Sequence, residues 1–388
     1  MNRLFDRLPP LAAAGIAAVS GLLYAVLLMA GDSDVQVIAL IALGAAAALA
    51  AARTGLAARV SLAARTRPGA VSGIAALGAL ALIAVFSADH FPLLMIATTL
   101  LYGVAALGLN VQFGYAGLVN FAGAAFFGIG AYTSAMLVGR SPVPSALVPL
   151  LGGVLAALIG LVLVIPVVRT RGHYASVVTI AFSVLFKTFL EVNDTFGGPQ
   201  GLPVGPLSIG GWSFSEGPRL FGFETSFYLN SALAALALLA AAFALVRRLE
   251  RSWIGLSLDA VRLDETASAC YGIGIRRTKI LAFVFGNVLI GVAGALYGSM
   301  AAYVAPTSFT FSDSLLLVAI VLLGGMGSPW GSLLAAAVVV ILPEKLQAIQ
   351  EYRFLLFSVL VMAVLVFRPQ GLLPRGVRRY APASEESQ

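Results

Sequence analysis

Apolar stretches close to 20 residues long recur along almost the whole of this 388-residue chain. At ~1.5 Å per residue, one such stretch crosses a hydrocarbon core of ~30 Å as a single helix. Twelve are read, at about 11–30, 35–52, 70–86, 92–111, 121–138, 146–168, 174–191, 228–246, 280–299, 314–324, 331–349 and 354–367. Composition agrees, because 60% of residues are hydrophobic and 11% charged, against roughly 25% charged in a soluble globule. The fold class expected is therefore all-α: a polytopic integral membrane protein with about twelve transmembrane or re-entrant helices. Arg3 and Arg7 precede the first stretch as in a signal peptide, but its length and the span directly after it mark a retained helix. The stretch 314–324 is too short to cross unaided and is read as a candidate half of a re-entrant pair.

The net charge of +7 does not indicate nucleic acid, because the basic residues lie in short loops between apolar segments, where they orient helices. With the N-terminus inside, all but five of the 24 Lys and Arg fall in the cytoplasm; Arg140, Lys187, Arg219, Lys345 and Arg353 fall outside. Both termini are then cytoplasmic, and membrane lipid is the expected surrounding. A lone cysteine, Cys270, with His90 and His173, is too little for a disulfide framework or a Cys/His metal centre. No metal site is expected, and both histidines are read as solvated interface residues.

Two polar segments are long enough to carry function. Residues 192–227, rich in Gly, Pro and Ser, lie outside on this topology and suit a pore cover, a docking surface or a plain surface loop. Residues 247–279 lie inside. There Leu256, Ala260 and Leu263 are helically spaced beside Asp259, Arg262 and Glu265, which predicts one amphipathic helix over 256–271, ended near Gly272.

Within the spans, polar residues and glycines are informative because lipid cannot satisfy them. The run from Asn110 to Gly123 interrupts an apolar region with Asn110, Gln112, Asn120 and three glycines; Gly324 to Gly331 interrupts another. Irregular backbone at membrane depth needs protein or a wet cavity around it, and paired Gly/Pro-broken segments point to a transport path. Helical hairpins without solute contact are the plainer alternative. Ser176, Thr179, Ser183 and Lys187 share one helix face, either lining that path or, for the hydroxyls, bonding carbonyls of their own helix. Asn287, Gly291, Gly294 and Gly298 form a seam for close helix packing.

No G-x-x-x-x-G-K-[ST] loop is present, so ATP-driven work would fall to another polypeptide. The acidic residues sit in loops or near helix ends, which disfavours proton coupling through buried carboxylates.

The stretch GYAGLVNFAGAAFFGIGAYTSAML (114–137) resembles the signature of Liv-type, LivM-like permeases, the membrane subunits of ATP-binding-cassette (ABC) importers for branched-chain amino acids. RGHYASVVTIAF (171–182), FGGPQGLP (196–203), Gly255 to Lys279, FVFGNVLIGVAGALYG (283–298), VLLGGMGSPWGSLLAAA (321–337), LPE (342–344) and RPQGLL (368–373) agree in order. The resemblance implies an ABC importer permease fold, with a core over 70–375, accessory helices over 1–69 and a cytoplasmic tail over 376–388. It implies a multi-pass protein of the bacterial inner membrane. The implied partners are a second, LivH-like permease, two cytosolic ATPase subunits that bind ATP and Mg, and a periplasmic solute-binding protein; the chain itself holds no cofactor and catalyses nothing. It places Arg262, Glu265, Ala267 and Gly272 at ATPase-coupling positions. The expected solute path runs past Asn120, Ser176, Thr179, Ser183 and Gly325. Leu118 and Gly123 stand where many such permeases carry polar residues, so urea, short amides or another small organic solute is the alternative cargo, with a stand-alone secondary carrier or a multi-span membrane enzyme more distant.

Overall fold

The computed structural model describes residues 9–31, 34–169, 174–209, 212–214, 217, 219–220 and 223–345, together with 352, 355, 358, 359, 362, 366, 370–373 and 375. His173, the tail 376–388, the last residues of the expected span 331–349 and most of the expected span 354–367 lie outside the described residues.

The helices are α1 (Pro10–Ala30), α2 (Asp34–Thr54), α3 (Leu56–Thr66), α4 (Pro68–Val85), α5 (His90–Asn110), α6 (Gly123–Leu137), α7 (Val148–Arg169) and α8 (Tyr174–Val192). They continue with α9 (Tyr228–Arg251), α10 (Trp253–Leu263), α11 (Glu265–Cys270), α12 (Ile275–Ala301), α13 (Phe311–Gly324) and α14 (Pro329–Lys345). The chain is an all-α polytopic membrane protein; helices stand at eleven of the twelve expected places, and the twelfth, 354–367, lies mostly outside the described residues. Eight helices among the described residues are long and apolar enough to cross a membrane, and α6 is apolar but shorter. Helix α3 was not expected. Gly55, at φ +84, breaks the chain after α2 and lets an arginine-bearing helix follow at once.

Helix α12 is the centre of the bundle because its glycine seam removes every Cβ that would hold neighbours away. A Cβ on Gly291 would meet Ala156 Cβ of α7 at 2.5 Å, and one on Gly298 would meet Ala131 O of α6 at 2.9 Å. Close backbone approach of this kind drives helix association where lipid removes the hydrophobic incentive. In the apolar windows of α5 and α12, 67% of residues are buried, against 11% in those of α1 and α4. The N-terminal helices therefore stand at the periphery.

Specific contacts tie several helix ends to one another and to the long polar loop. Lys345 at the end of α14 donates to the carbonyls of Met29 (2.5 Å) and Gly31 (3.1 Å), at the end of α1. The strand 303–304 after α12 pairs antiparallel with 202–203 of the long polar loop. That loop is not plain coil: Ser226 N donates to Ser87 O at 2.9 Å, and the Ser226 hydroxyl lies 2.6 Å from His90 Nδ1. His90 is thus tied to the loop rather than simply solvated. Helix α13 ends against residues 371–373. With the turn 306–308 ahead of its 14 residues, the stretch Pro306–Gly324 is long and apolar enough to cross a membrane.

Candidate functional site

Helix α5 does not stop cleanly at Asn110. It runs into a π-turn over Val111–Tyr115, then unwinds through Gly117 at φ +65 before α6 begins at Gly123. Gln112 sits at the middle of this break with no exposure. Its amide nitrogen donates to Phe283 O (3.0 Å) and Asn287 Oδ1 (2.9 Å) of α12, and its amide oxygen accepts from Asn120 Nδ2 at 2.7 Å. Asn120 Oδ1 then accepts from Ala122 N at 2.9 Å. Buried amides are normally paired; Gln112 and Asn120 satisfy each other here, while Asn287 Nδ2 is left buried without a partner.

The second break is locked onto the first. Asn110 Oδ1 accepts from Gly327 N at 2.7 Å, and Asn110 Nδ2 donates to Ser332 Oγ at 3.0 Å. Gly114 faces Gly327 so closely that no side chain would fit. Gly325, at φ +109, packs against residues 370–373; a Cβ there would meet Gln370 O at 2.8 Å. Leu372 N and Leu373 N donate to Leu323 O (2.9 Å) and Gly324 O (3.1 Å), so the chain after 370 pairs with the end of α13.

The expected polar face of α8 is real and closes on the same place. Thr179 Oγ1 accepts from Phe121 N at 3.0 Å and donates to Ser176 O at 2.8 Å. Ser314 Oγ accepts from Ala124 N at 3.0 Å and lies 3.4 Å from Ser183 Oγ. Thr179, Asn120 and Ser314 thereby satisfy the donors that open α6, which an unwound approach leaves without helical partners. Ser176 is half-buried, and Lys187 turns to Glu191 at 3.3 Å. The structure thus gathers Asn120, Thr179 and Ser183 at the start of α6, with Ser176 touching them through its carbonyl. Gly325 joins them only through the second break. Ser314 was missed in the sequence because a single serine at the start of a helix carries no signal of its long-range partner.

The segment after α9 corrects the expectation of one helix over 256–271. Asp264 divides it into α10 and α11 by capping the second helix, its Oδ1 accepting from Thr266 N (2.8 Å) and Ala267 N (3.0 Å). The end near Gly272 is as expected. Gly272 takes φ +78, and the donors Ile273 N→Ser268 O and Gly272 N→Ala269 O form a Schellman close. Arg262, Glu265, Ala267 and Gly272 are all exposed. Arg262 reaches the first break: a Cβ on Gly117 would lie 3.3 Å from Arg262 Cγ. Glu265 pairs with Lys279 of α12 at 2.6 Å.

Beneath this segment lies a charge cluster that sequence reasoning did not find. Arg375 donates through both terminal nitrogens to the carboxylate of Asp259 in α10, at 2.5 and 2.9 Å. Its Nε lies 3.7 Å from Glu250, which also accepts from Arg247 at 3.1 Å. The guanidinium stands 4.4 Å from the centre of the Tyr115 ring. Burial works against the charge on Arg375, but the hydrogen bonds and field of Asp259, with Tyr115 and Glu250 behind them, hold its pKa above the ordinary arginine value. One arginine therefore joins the first break, α9, α10 and the chain beside the second break.

A family model described as "Branched-chain amino acid transport system / permease component" matches residues 91–367. The high-affinity branched-chain amino acid transport system permease protein LivM of Escherichia coli is 35% identical over 290 residues, covering 71% of this chain and 68% of its own length. The probable LivM of Methanocaldococcus jannaschii is 25% identical over 325 residues, covering 71% of this chain and 90% of its own. The LivH permease protein of Salmonella typhimurium is 23% identical over 288 residues, covering 71% and 91%. No solved structure matches the chain significantly. Helices α1 to α4 precede the matched region, while both breaks, the α8 face and α10–α11 fall inside it. The chain belongs to the permease-component family of branched-chain amino acid transport systems.

Proposed function

We propose that this chain is a transmembrane permease subunit of an ATP-driven importer and passes branched-chain or other hydrophobic amino acids across the bacterial inner membrane. Its partners are a second, LivH-like permease, two cytosolic ATPase subunits that bind ATP and Mg, and a periplasmic protein that delivers the solute. Both termini face the cytoplasm, with α10–α11 on that side and residues 192–227 outside. The observation that carries the reading is that the exposed helical pair α10–α11 is joined directly to both chain breaks, through Arg262 on Gly117 and through Asp259 on Arg375. A push on α10 has no slack to dissipate in. It must move Arg375, and with it the backbone that closes the two breaks.

The start of α6 is then the gate. Asn120, Thr179 and Ser183 hold it closed, Ser176 and Gly325 flank it, and shifting α10 exchanges their mutual bonds for bonds to a passing zwitterion. Arg262, Glu265, Ala267 and Gly272 present the docking face, with Trp253, Leu263 and Tyr271 exposed beside them. The test is uptake by vesicles containing both permeases and both ATPases, fed with binding protein and radiolabelled leucine. ATP-dependent leucine accumulation supports the proposal. Accumulation of urea in preference to leucine overturns the solute, and uptake without the ATPases overturns the mechanism.

A further inference from the structure

A crevice of about 1320 Å³ separates the peripheral helices α1, α3 and α4 from α9 and the start of α14. Its walls are mostly small and apolar, with Ala14, Ala18, Gly73 and Ala76 facing Leu239 and Phe243. Neither Gly69 nor Gly73 would meet any atom within 4 Å if given a Cβ, so the walls stand apart along α4. The charged residues lining it are Arg247, Glu250, Arg251 and Arg375, all at one end. Glu250 is taken up by Arg247 and Arg375. Arg251 is exposed and makes no ion pair among the described residues.

The depth identifies the occupant. Along α4 the lining runs from Pro68 to Ala79, and along α9 from Leu236 to Arg251, apolar as far as Ala244. At the helical rise the apolar lengths are ~17 and ~12 Å, about half of a ~30 Å hydrocarbon core. A slot one leaflet deep, apolar along its length and basic at its mouth, is too short for a spanning helix and complementary to one amphiphile. We infer that the crevice binds a single anionic phospholipid, its acyl chains between α4 and α9 and its phosphate on Arg251 and Arg247. The crevice borders Arg375 and the second break but not the start of α6, and the inference requires no particular solute.

The purified chain, titrated with phosphatidylglycerol or phosphatidylcholine in detergent, is examined by native mass spectrometry. Wild type retains one phosphatidylglycerol in preference to phosphatidylcholine. Arg251→Ala retains it about fivefold less, the effect of one arginine on an anionic headgroup. Gly73→Leu fills the slot and loses the lipid, whereas Gly78→Leu retains it. Gly78 also has open space around its Cβ but does not line the crevice. Equal retention of both lipids by wild type, or unchanged retention in Gly73→Leu, overturns the inference. So does high-yield crosslinking of Gly73→Cys to another protein subunit.

Discussion

Replacing Arg375 by alanine removes a group shared by α9, α10 and both breaks. Two charge-assisted hydrogen bonds, at 2.5 and 2.9 Å, disappear, and Asp259 is left with a side chain only 12% exposed. Stranding one partner of a buried pair costs ~3–5 kcal/mol. Residual water access and the surviving Arg247–Glu250 bond at 3.1 Å place this case at the lower end. About 3 kcal/mol corresponds to roughly 100-fold more frequent local opening of α10, since local opening has its own free energy below the global one. The assay is hydrogen exchange of peptides covering 253–263 in the purified chain. Replacing the whole pair, with Arg375→Met and Asp259→Leu, should restore protection to within about tenfold, because an apolar pair leaves no buried charge behind. Exchange in Arg375→Ala within about twofold of wild type would refute the argument that this ion pair holds α10 to the bundle.

Asn120→Leu strands Gln112 Oε1 and Ala122 N, at ~1–3 kcal/mol for each unsatisfied group; thermal unfolding should show a destabilised chain as well as slower leucine uptake. Glu265→Lys faces Lys279 instead of pairing with it, but Glu265 is 54% exposed, so stability should change by less than ~1 kcal/mol. Loss of ATP-driven uptake at unchanged thermal stability is the expected result, and wild-type uptake would make α11 a structural element only. Gly160→Ala places a methyl against the Asn287 amide, which must then move from Gln112. A thermal midpoint equal to wild type would show that this amide network adds nothing to stability.

The sequence exposed most of the spans because lipid imposes a length and an apolar content that few loops imitate. It also exposed both breaks, since a Gly/Asn run without charge has nowhere to reside but against protein. Their mutual locking was not legible: nothing local in Asn110 or Gly327 announces a partner more than 200 residues away. Arg375 was read only as an orienting charge for the same reason. Helix α3 was hidden because its two arginines, Arg59 and Arg65, set among alanines and leucines, resemble a basic loop, and the turn at Gly55 is too short to separate it from α2. The division of α10 from α11 was not read, although Leu263-Asp-Glu-Thr-Ala267 carries a capping aspartate ahead of a first-turn glutamate; the helical apolar spacing of 256–263 gives no sign of a break.

The proposed ATP-driven import requires α10–α11 to face the cytoplasm and dock on an ATPase subunit. Cys270 is the chain's single cysteine and is exposed at the end of α11, so it can be probed without substitution. A membrane-impermeant maleimide should label Cys270 in inside-out vesicles and not in right-side-out ones, and adding the purified ATPase subunits should slow that labelling about tenfold or more. Labelling from the outer face, or a labelling rate indifferent to the ATPase subunits, would contradict it.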